Sequence, residues 1–119
     1  MRSAAEIDTE RLAREARCSE HNEAYQPMGK LDGISVGVGA RATARGEPAF
    51  FIEVLIPFCS GSKVDLDGMA GMLEILRRLE ERSYSLTCQD GMSFSCELTT
   101  RGEELEGEYE RAISIVARS

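Results

Sequence analysis

The sequence predicts an α+β fold, with an antiparallel sheet built from two hairpins and three helices beside it. Four stretches alternate apolar and polar residues with period two, and three stretches repeat apolar residues at helical spacing. The strands are predicted at about 33-45, 49-58, 84-90 and 92-99, and the helices at about 4-17, 65-82 and 102-117. At the end of the last helix, Ile113-Ser-Ile-Val116 could instead form a short strand. With 119 residues, 42% of them hydrophobic, the chain suits a single α+β domain with one core.

The N-terminal segment, residues 1-32, is predicted to be loosely attached to that domain. A capping-box pattern, Ser3-Ala-Ala-Glu6, opens the first helix. Ile7 and Leu12 are its only large apolar side chains, so we expect weak docking on its own sheet. The polar stretch 18-32, with one proline and one glycine, predicts a connector. Because a thin apolar stripe is available to another molecule, Ile7 and Leu12 are candidate partner-binding residues.

A glycine motif in the first predicted strand has the spacing of a dinucleotide-binding fingerprint. In Gly37-x-Gly39-x-x-Ala42 the glycines would end a strand and open a helix, whose N-terminus binds the pyrophosphate. Here the alternation continues from Ile34 to Ala44, and Gly46 follows almost at once. We therefore interpret the motif as part of a continuous strand and predict no nucleotide cofactor.

The first hairpin can be given a register from its pattern. A three-residue loop at 46-48 brings the apolar faces of the two strands together. The predicted cross-strand pairs are Val38 with Ile56, Arg41 with Glu53, Leu55 with Gly39, and Pro57 with Gly37. The two glycines then make room for bulky neighbours, which is a structural role.

The second hairpin is predicted around Asp90-Gly91. A three-residue loop, Gln89 to Gly91, places the apolar residues of both strands on one face. In that register Tyr84 lies opposite Cys96.

Two short motifs are candidates for ligand binding. The loop formed by Ser60, Gly61, Ser62 and Lys63 could offer backbone amides, two hydroxyls and an ammonium to an anion near a helix start. A flexible connector from strand to helix explains the same loop without a ligand. Cys18-x-x-His21 could supply two metal ligands, but a polar connector with a surface histidine is the preferred interpretation, and His21 is the only histidine. We predict no catalytic residue, no metal site and no cofactor.

Charge and hydropathy exclude several classes of partner. The net charge of −7 disfavours nucleic acid and anionic membrane surfaces, because both bind through clustered basic residues. The longest apolar run, residues 49-59, is too short to cross a bilayer, and the first residues do not form a secretory signal. We expect a cytoplasmic protein.

The last predicted helix begins with a run of glutamates. Glu104 and Glu108 are four residues apart, so their charges repel on one side of the helix. The run is either a solvated face or an acidic interaction surface, where a basic partner would reduce the repulsion between the glutamates. Glu104 and Glu108 are accordingly candidate partner-binding residues.

The predicted element order is helix, two strands, helix, two strands, helix, in a small acidic chain. One strand ends in Leu55-Ile-Pro-Phe58 before the central helix, and the Asp90-Gly91 hairpin leads to the Glu-rich final helix. In these features the chain resembles the class I type III secretion chaperones and their relatives. Members usually have three strands in the first sheet segment, where the patterns here predict two. The resemblance implies a homodimer that binds an extended segment of another protein along apolar surface.

Two functions follow from these observations. The preferred one is a non-enzymatic protein-binding module, chaperone-like or adaptor-like, that acts as a homodimer on a protein client. The alternative is a small regulatory domain that binds an anionic metabolite, with the loop at 60-63 as its first candidate site.

Overall fold

The computed structural model describes residues 1–57, 66–88 and 93–117, with the backbone alone at 66–69 and 87–88. It confirms the α+β class with an antiparallel sheet, which here has five strands in the order β1-β2-β3-β5-β4. The elements in chain order are α1 (Thr9–Cys18), β1 (Glu23–Leu31), β2 (Ile34–Arg41), β3 (Ala49–Pro57), α2 (Leu66–Glu81), β4 (Ser85–Cys88), β5 (Ser93–Thr100) and α3 (Leu105–Val116). Short 3₁₀ turns, Ala4–Glu6 and Gly102–Glu104, precede α1 and α3.

Strand β1 was not predicted, because its residues were interpreted as a polar connector. Its buried positions alternate regularly, but one of them is the polar Gln26 and the next residue is Pro27. The buried amide is satisfied: Nε2 donates to the Glu6 carbonyl at 3.0 Å, and Oε1 accepts from Arg11 Nη2 at 3.2 Å. Pro27 is tolerated because β1 is an edge strand, and the register shifts just after it.

The connection from β1 to β2 is a two-residue turn, Asp32-Gly33. Both residues have positive φ, 50° and 83°, which is the backbone that short hairpin turns of matching twist require. An Asp-Gly pair between Leu31 and Ile34 was therefore a strand signal within the predicted connector.

Helix α1 starts later than predicted and is packed on the sheet. Residues 4–6 form the 3₁₀ turn, and Asp8 caps α1 by accepting from the Arg11 amide at 3.0 Å. Leu12 is 0% exposed and Ile7 is also buried in the core. Their stripe is completed by alanines, whose small side chains let the helix approach β1 and β2 closely. The N-terminal segment is thus part of the sheet and core, which differs from the predicted loose attachment.

The sheet has two chemically different faces. Helices α1 and α3 pack on one of them, and α2 packs beside α3. This helix face consists of buried side chains: Ala24, Gln26, Met28, Ile34, Val36, Val38, Ala40, Phe50, Ile52, Val54, Ile56 and Cys96. The alternate positions form what we call the open face: Glu23, Tyr25, Gly37, Gly39, Arg41, Phe51, Glu53, Leu55 and Glu97.

Both predicted hairpin registers are wrong by an even number of residues. Val38 lies opposite Ile52 rather than Ile56, a shift of four, and residues 42–48 connect the two strands. Cys96 lies opposite Leu86 rather than Tyr84, a shift of two. Alternation excludes only register shifts by an odd number of residues, so the predicted faces are correct while the predicted pairs are not. The predicted turn at Asp90-Gly91 lies outside the described residues.

The C-terminal part of the chain is helical to Val116, in agreement with the predicted third helix. Its buried residues include Leu105 and Tyr109, and the Tyr109 hydroxyl donates to the Arg2 carbonyl at 2.5 Å. Among the helices in the described ranges, none combines the length and apolar composition that a membrane crossing requires.

Candidate functional site on the open face

The two glycines of the fingerprint-like motif lie within an uninterrupted strand, and aromatic side chains lie against them. A Cβ at Gly37 would be 2.0 Å from Tyr25 Oη, and one at Gly39 would be 2.3 Å from Phe51 Cζ. Both glycines are buried, and β2 continues through them to Arg41. They provide space for cross-strand side chains, as expected, but the neighbours are Tyr25 and Phe51 rather than the predicted Pro57 and Leu55.

A single guanidinium, that of Arg41 on β2, connects side chains of four neighbouring strands across the open face. It forms a bidentate ion pair with Glu97 of β5. Nη2 and Oε2 are 2.6 Å apart, and Nη1 contacts Oε1. Its Nε donates to Glu23 of β1 at 3.3 Å. The guanidinium carbon lies 4.2 Å from the ring centroid of Phe51 on β3. This cation therefore has both an aromatic platform and two carboxylates.

These contacts have clear electrostatic consequences. The hydrogen bonds and charge of Glu97, with a smaller effect of Glu23, raise the pKa of Arg41 above its ordinary value. The predicted pair of Arg41 with Glu53 does not form, since the observed register places Glu53 opposite Gly37. Arg41 is thus committed to Glu97 and Glu23.

Glu53 is the carboxylate that this arrangement leaves without a cation. It is half-buried next to Glu97, its direct cross-strand partner, and it makes no hydrogen bond or ion pair within the described part of the chain. Burial, followed by the charges of Glu97 and Glu23, raises the pKa of Glu53, and Arg41 opposes this rise. Among the residues described on the open face, three carboxylates therefore share one guanidinium.

An exposed aromatic ring lies beside this unpaired carboxylate. Tyr25 is 44% exposed and its ring extends across Gly37, the residue opposite Glu53. Burial of part of the ring and the negative charge of Glu53 raise the pKa of Tyr25 to about 12, so its hydroxyl stays protonated at neutral pH. Tyr25 and Glu53 together form a partly apolar, negatively charged position.

The predicted site residues are dispersed in the structure. Ser60, Gly61, Ser62 and Lys63 lie outside the described residues. Ile7 and Leu12 lie in the core rather than on a free surface. Glu104 is exposed, whereas Glu108 pairs with Arg111 at 2.9 Å and Arg82 at 3.5 Å, which offsets the predicted repulsion.

Within the part of the chain that the structure describes, Cys18 and His21 do not belong to a cluster of metal-ligating side chains. Cys18 and His21 are both exposed around the end of α1. Across residues 1–57, 66–88 and 93–117, no group of three or more His, Cys, Asp or Glu side chains has the arrangement of a metal site. The thiol of Cys96 is buried, and burial raises its pKa to about 11.

Sequence reasoning did not find the centre of the open face. Tyr25 was placed in a connector, and Phe51 and Glu97 were not singled out. The Asp-Gly pair at 32–33, directly before the alternating strand β2, was the sequence signal for a preceding strand that would include Tyr25. Comparison with protein-family models, with curated proteins and with solved structures found no match to this chain.

Proposed function

We propose that this protein is a non-enzymatic protein-binding module, chaperone-like or adaptor-like, that acts as a homodimer and binds a segment of a client polypeptide on its open face. The observation that carries this proposal is the pairing of the exposed Tyr25 ring with Glu53, a carboxylate that makes no ion pair with any residue that the structure describes. Aromatic side chains are enriched where proteins bind one another, and an unpaired charge next to one favours a partner of opposite sign.

The order of elements supports the resemblance that suggested this function. With β1 included, the chain has one helix, three strands, a helix, two strands and a final helix. The third strand of the first segment, which class I type III secretion chaperones usually have, is thus present. This removes the one departure in element order that the sequence patterns predicted.

Two large aliphatic side chains support a dimer. Leu73 on α2 is 61% exposed and Leu86 on β4 is 55% exposed. Burial in an interface would stabilise each of them by roughly 25 cal/mol per Å² of apolar surface removed from water. We therefore propose that a second copy covers α2 and β4.

The proposed compartment is the cytoplasm. Cys18 and Cys96 are both free thiols, which suits a reducing environment.

Native mass spectrometry of the protein purified from its own host tests the proposal. The expected result is a dimer that retains a polypeptide. That polypeptide, once identified and produced separately, should bind the purified protein again at a fixed ratio. A monomer that retains a small molecule would contradict the proposal and favour a metabolite-binding domain.

A further inference from the structure

The open face already shows how it holds a guanidinium. Arg41 lies on the ring of Phe51, and its nitrogen atoms contact the carboxylates of Glu97 and Glu23. Stacking on an aromatic ring and pairing with a carboxylate are the two interactions for which the planar guanidinium is better suited than an ammonium.

An aromatic ring and a carboxylate occur together a second time, without a cation from the described part of the chain. Glu53 of β3 lies directly opposite Gly37 of β2, and the Tyr25 ring reaches the same glycine from β1, whereas Phe51 and Glu97 both contact Arg41 from the β3 and β5 side. Glu53 makes no hydrogen bond or ion pair to any described residue, and it faces the carboxylate of Glu97 across the strand pair. An added cation here would relieve the repulsion between these carboxylates.

The position is accessible from solvent. The Tyr25 side chain is substantially exposed, and β1 is an edge strand of the sheet. A bound chain can therefore cross the open face at this edge without displacing a helix. The buried Phe51 position, in contrast, is already occupied by Arg41.

We propose that Tyr25 and Glu53 form a docking position for an arginine side chain in a basic segment of the client polypeptide. This inference rests on the proposed function and names the chemistry of the partner. The bound guanidinium stacks on the Tyr25 ring and pairs with the Glu53 carboxylate, so that the open face holds two guanidinium groups for its three carboxylates. Lysine would form the ion pair but would stack less well.

Peptide binding measured by isothermal titration calorimetry tests this inference. The probe is a short acetylated and amidated peptide of alternating serine and arginine, compared with versions in which lysine or the neutral citrulline replaces each arginine. The protein variants are Glu53→Gln and Tyr25→Leu. The matched control is Glu80→Gln, which removes one charge from an exposed glutamate of α2.

We expect the wild type to prefer the arginine peptide and to lose binding with citrulline. Glu53→Gln should weaken binding about tenfold, the effect of one charge-assisted hydrogen bond, and Tyr25→Leu about fivefold, the effect of a cation stacked on an aromatic ring. Glu80→Gln should change it by less than about twofold, as is usual for a distant exposed charge.

Three results would overturn the inference. They are equal binding of the arginine and lysine peptides, equal effects of Glu53→Gln and Glu80→Gln, and no binding of any peptide by the wild type. The first two would leave the proposed function intact, because the client recovered by native mass spectrometry would then bind the open face through contacts other than an arginine on Tyr25 and Glu53. Failure of the proposed function itself is recognised separately, by the absence of a polypeptide in that experiment.

Discussion

Replacing Gly39 with alanine should destabilise the protein much more than replacing Gly37, although both glycines lie on the open face of β2. At Gly39 the added Cβ would lie 2.3 Å from Phe51 Cζ and 2.5 Å from the Ala24 carbonyl oxygen. At Gly37 the three nearest atoms all belong to the Tyr25 side chain. The two substitutions therefore differ in whether the contacted group can move.

The packing of the two aromatic rings determines the expected magnitudes. Phe51 is 1% exposed and lies under Arg41, so it cannot move away without breaking other contacts, and the Ala24 oxygen is backbone. Overpacking of this kind costs about 1–3 kcal/mol, while alanine recovers about 0.5 kcal/mol by restricting the unfolded chain. We expect Gly39→Ala to lower the free energy of unfolding by about 2 kcal/mol, and Gly37→Ala by at most about 1 kcal/mol because the exposed Tyr25 can swing into solvent.

Urea denaturation followed by circular dichroism measures both changes. In thermal unfolding, the Gly39→Ala loss corresponds to a melting temperature lower by about 8 °C. Gly71→Ala on α2 is the control, because nothing lies within 4 Å of its added Cβ, and alanine should stabilise the helix by about 1 kcal/mol. Equal stability of the Gly39 and Gly37 variants, or a larger loss at Gly37, would refute the assigned packing of Phe51 and Tyr25.

Three further predictions concern the core and the charges of the open face. Leu12→Ala should lower the free energy of unfolding, measured in urea, by about 2–4 kcal/mol, because removing a fully buried side chain leaves a cavity. A loss below about 1 kcal/mol would mean that α1 is not docked on the sheet. Arg41→Lys should lower the free energy of unfolding by about 1 kcal/mol at low salt and by less at high salt, since a lysine cannot reproduce the bidentate ion pair with Glu97. A variant as stable as the wild type at both salt concentrations would contradict this role. Glu53→Gln should stabilise the protein at pH 7, because a carboxyl group whose pKa is raised by folding destabilises the folded state wherever it is ionised. That advantage should disappear as the pH falls through the raised pKa of Glu53 towards its ordinary value, and a Glu53→Gln variant less stable than the wild type at pH 7 would contradict the charge assignment.

The effect of Glu53→Gln on stability is also informative about function. A residue kept only for packing or pairing lowers stability when it is replaced. Greater stability combined with weaker peptide binding is the pattern expected of a residue that serves binding at a cost to the fold.

The antiparallel α+β class could be predicted because most strands and helices carry a clear periodicity. Strand β1 could not be recognised in the same way, since its inward-facing Gln26 is polar and forms hydrogen bonds with Arg11 and the Glu6 carbonyl, which are distant in sequence. Pro27 also lowers the strand propensity of this segment. A proline is tolerated in an edge strand, but only the tertiary structure shows that β1 lies at an edge of the sheet.

The candidate site was less predictable because it depends on register. Alternation correctly placed Arg41, Glu53 and the two glycines on one face of the sheet. A shift of four residues, however, exchanges the partners of every one of them, and the length of the connecting loop was not evident from its composition. Bulky cross-strand neighbours do explain the two glycines, as predicted. Tyr25 could not be identified as one of these neighbours without recognising strand β1.

The most direct test of the open face as the binding surface is to map amide chemical-shift changes by NMR as the arginine peptide is added. We expect the changes to concentrate at Tyr25, Glu53 and Glu97 and at their strand neighbours, with the buried helix face and α1 unaffected. Changes confined to the glutamate-rich start of α3, with none on β1, β2 or β3, would contradict the account.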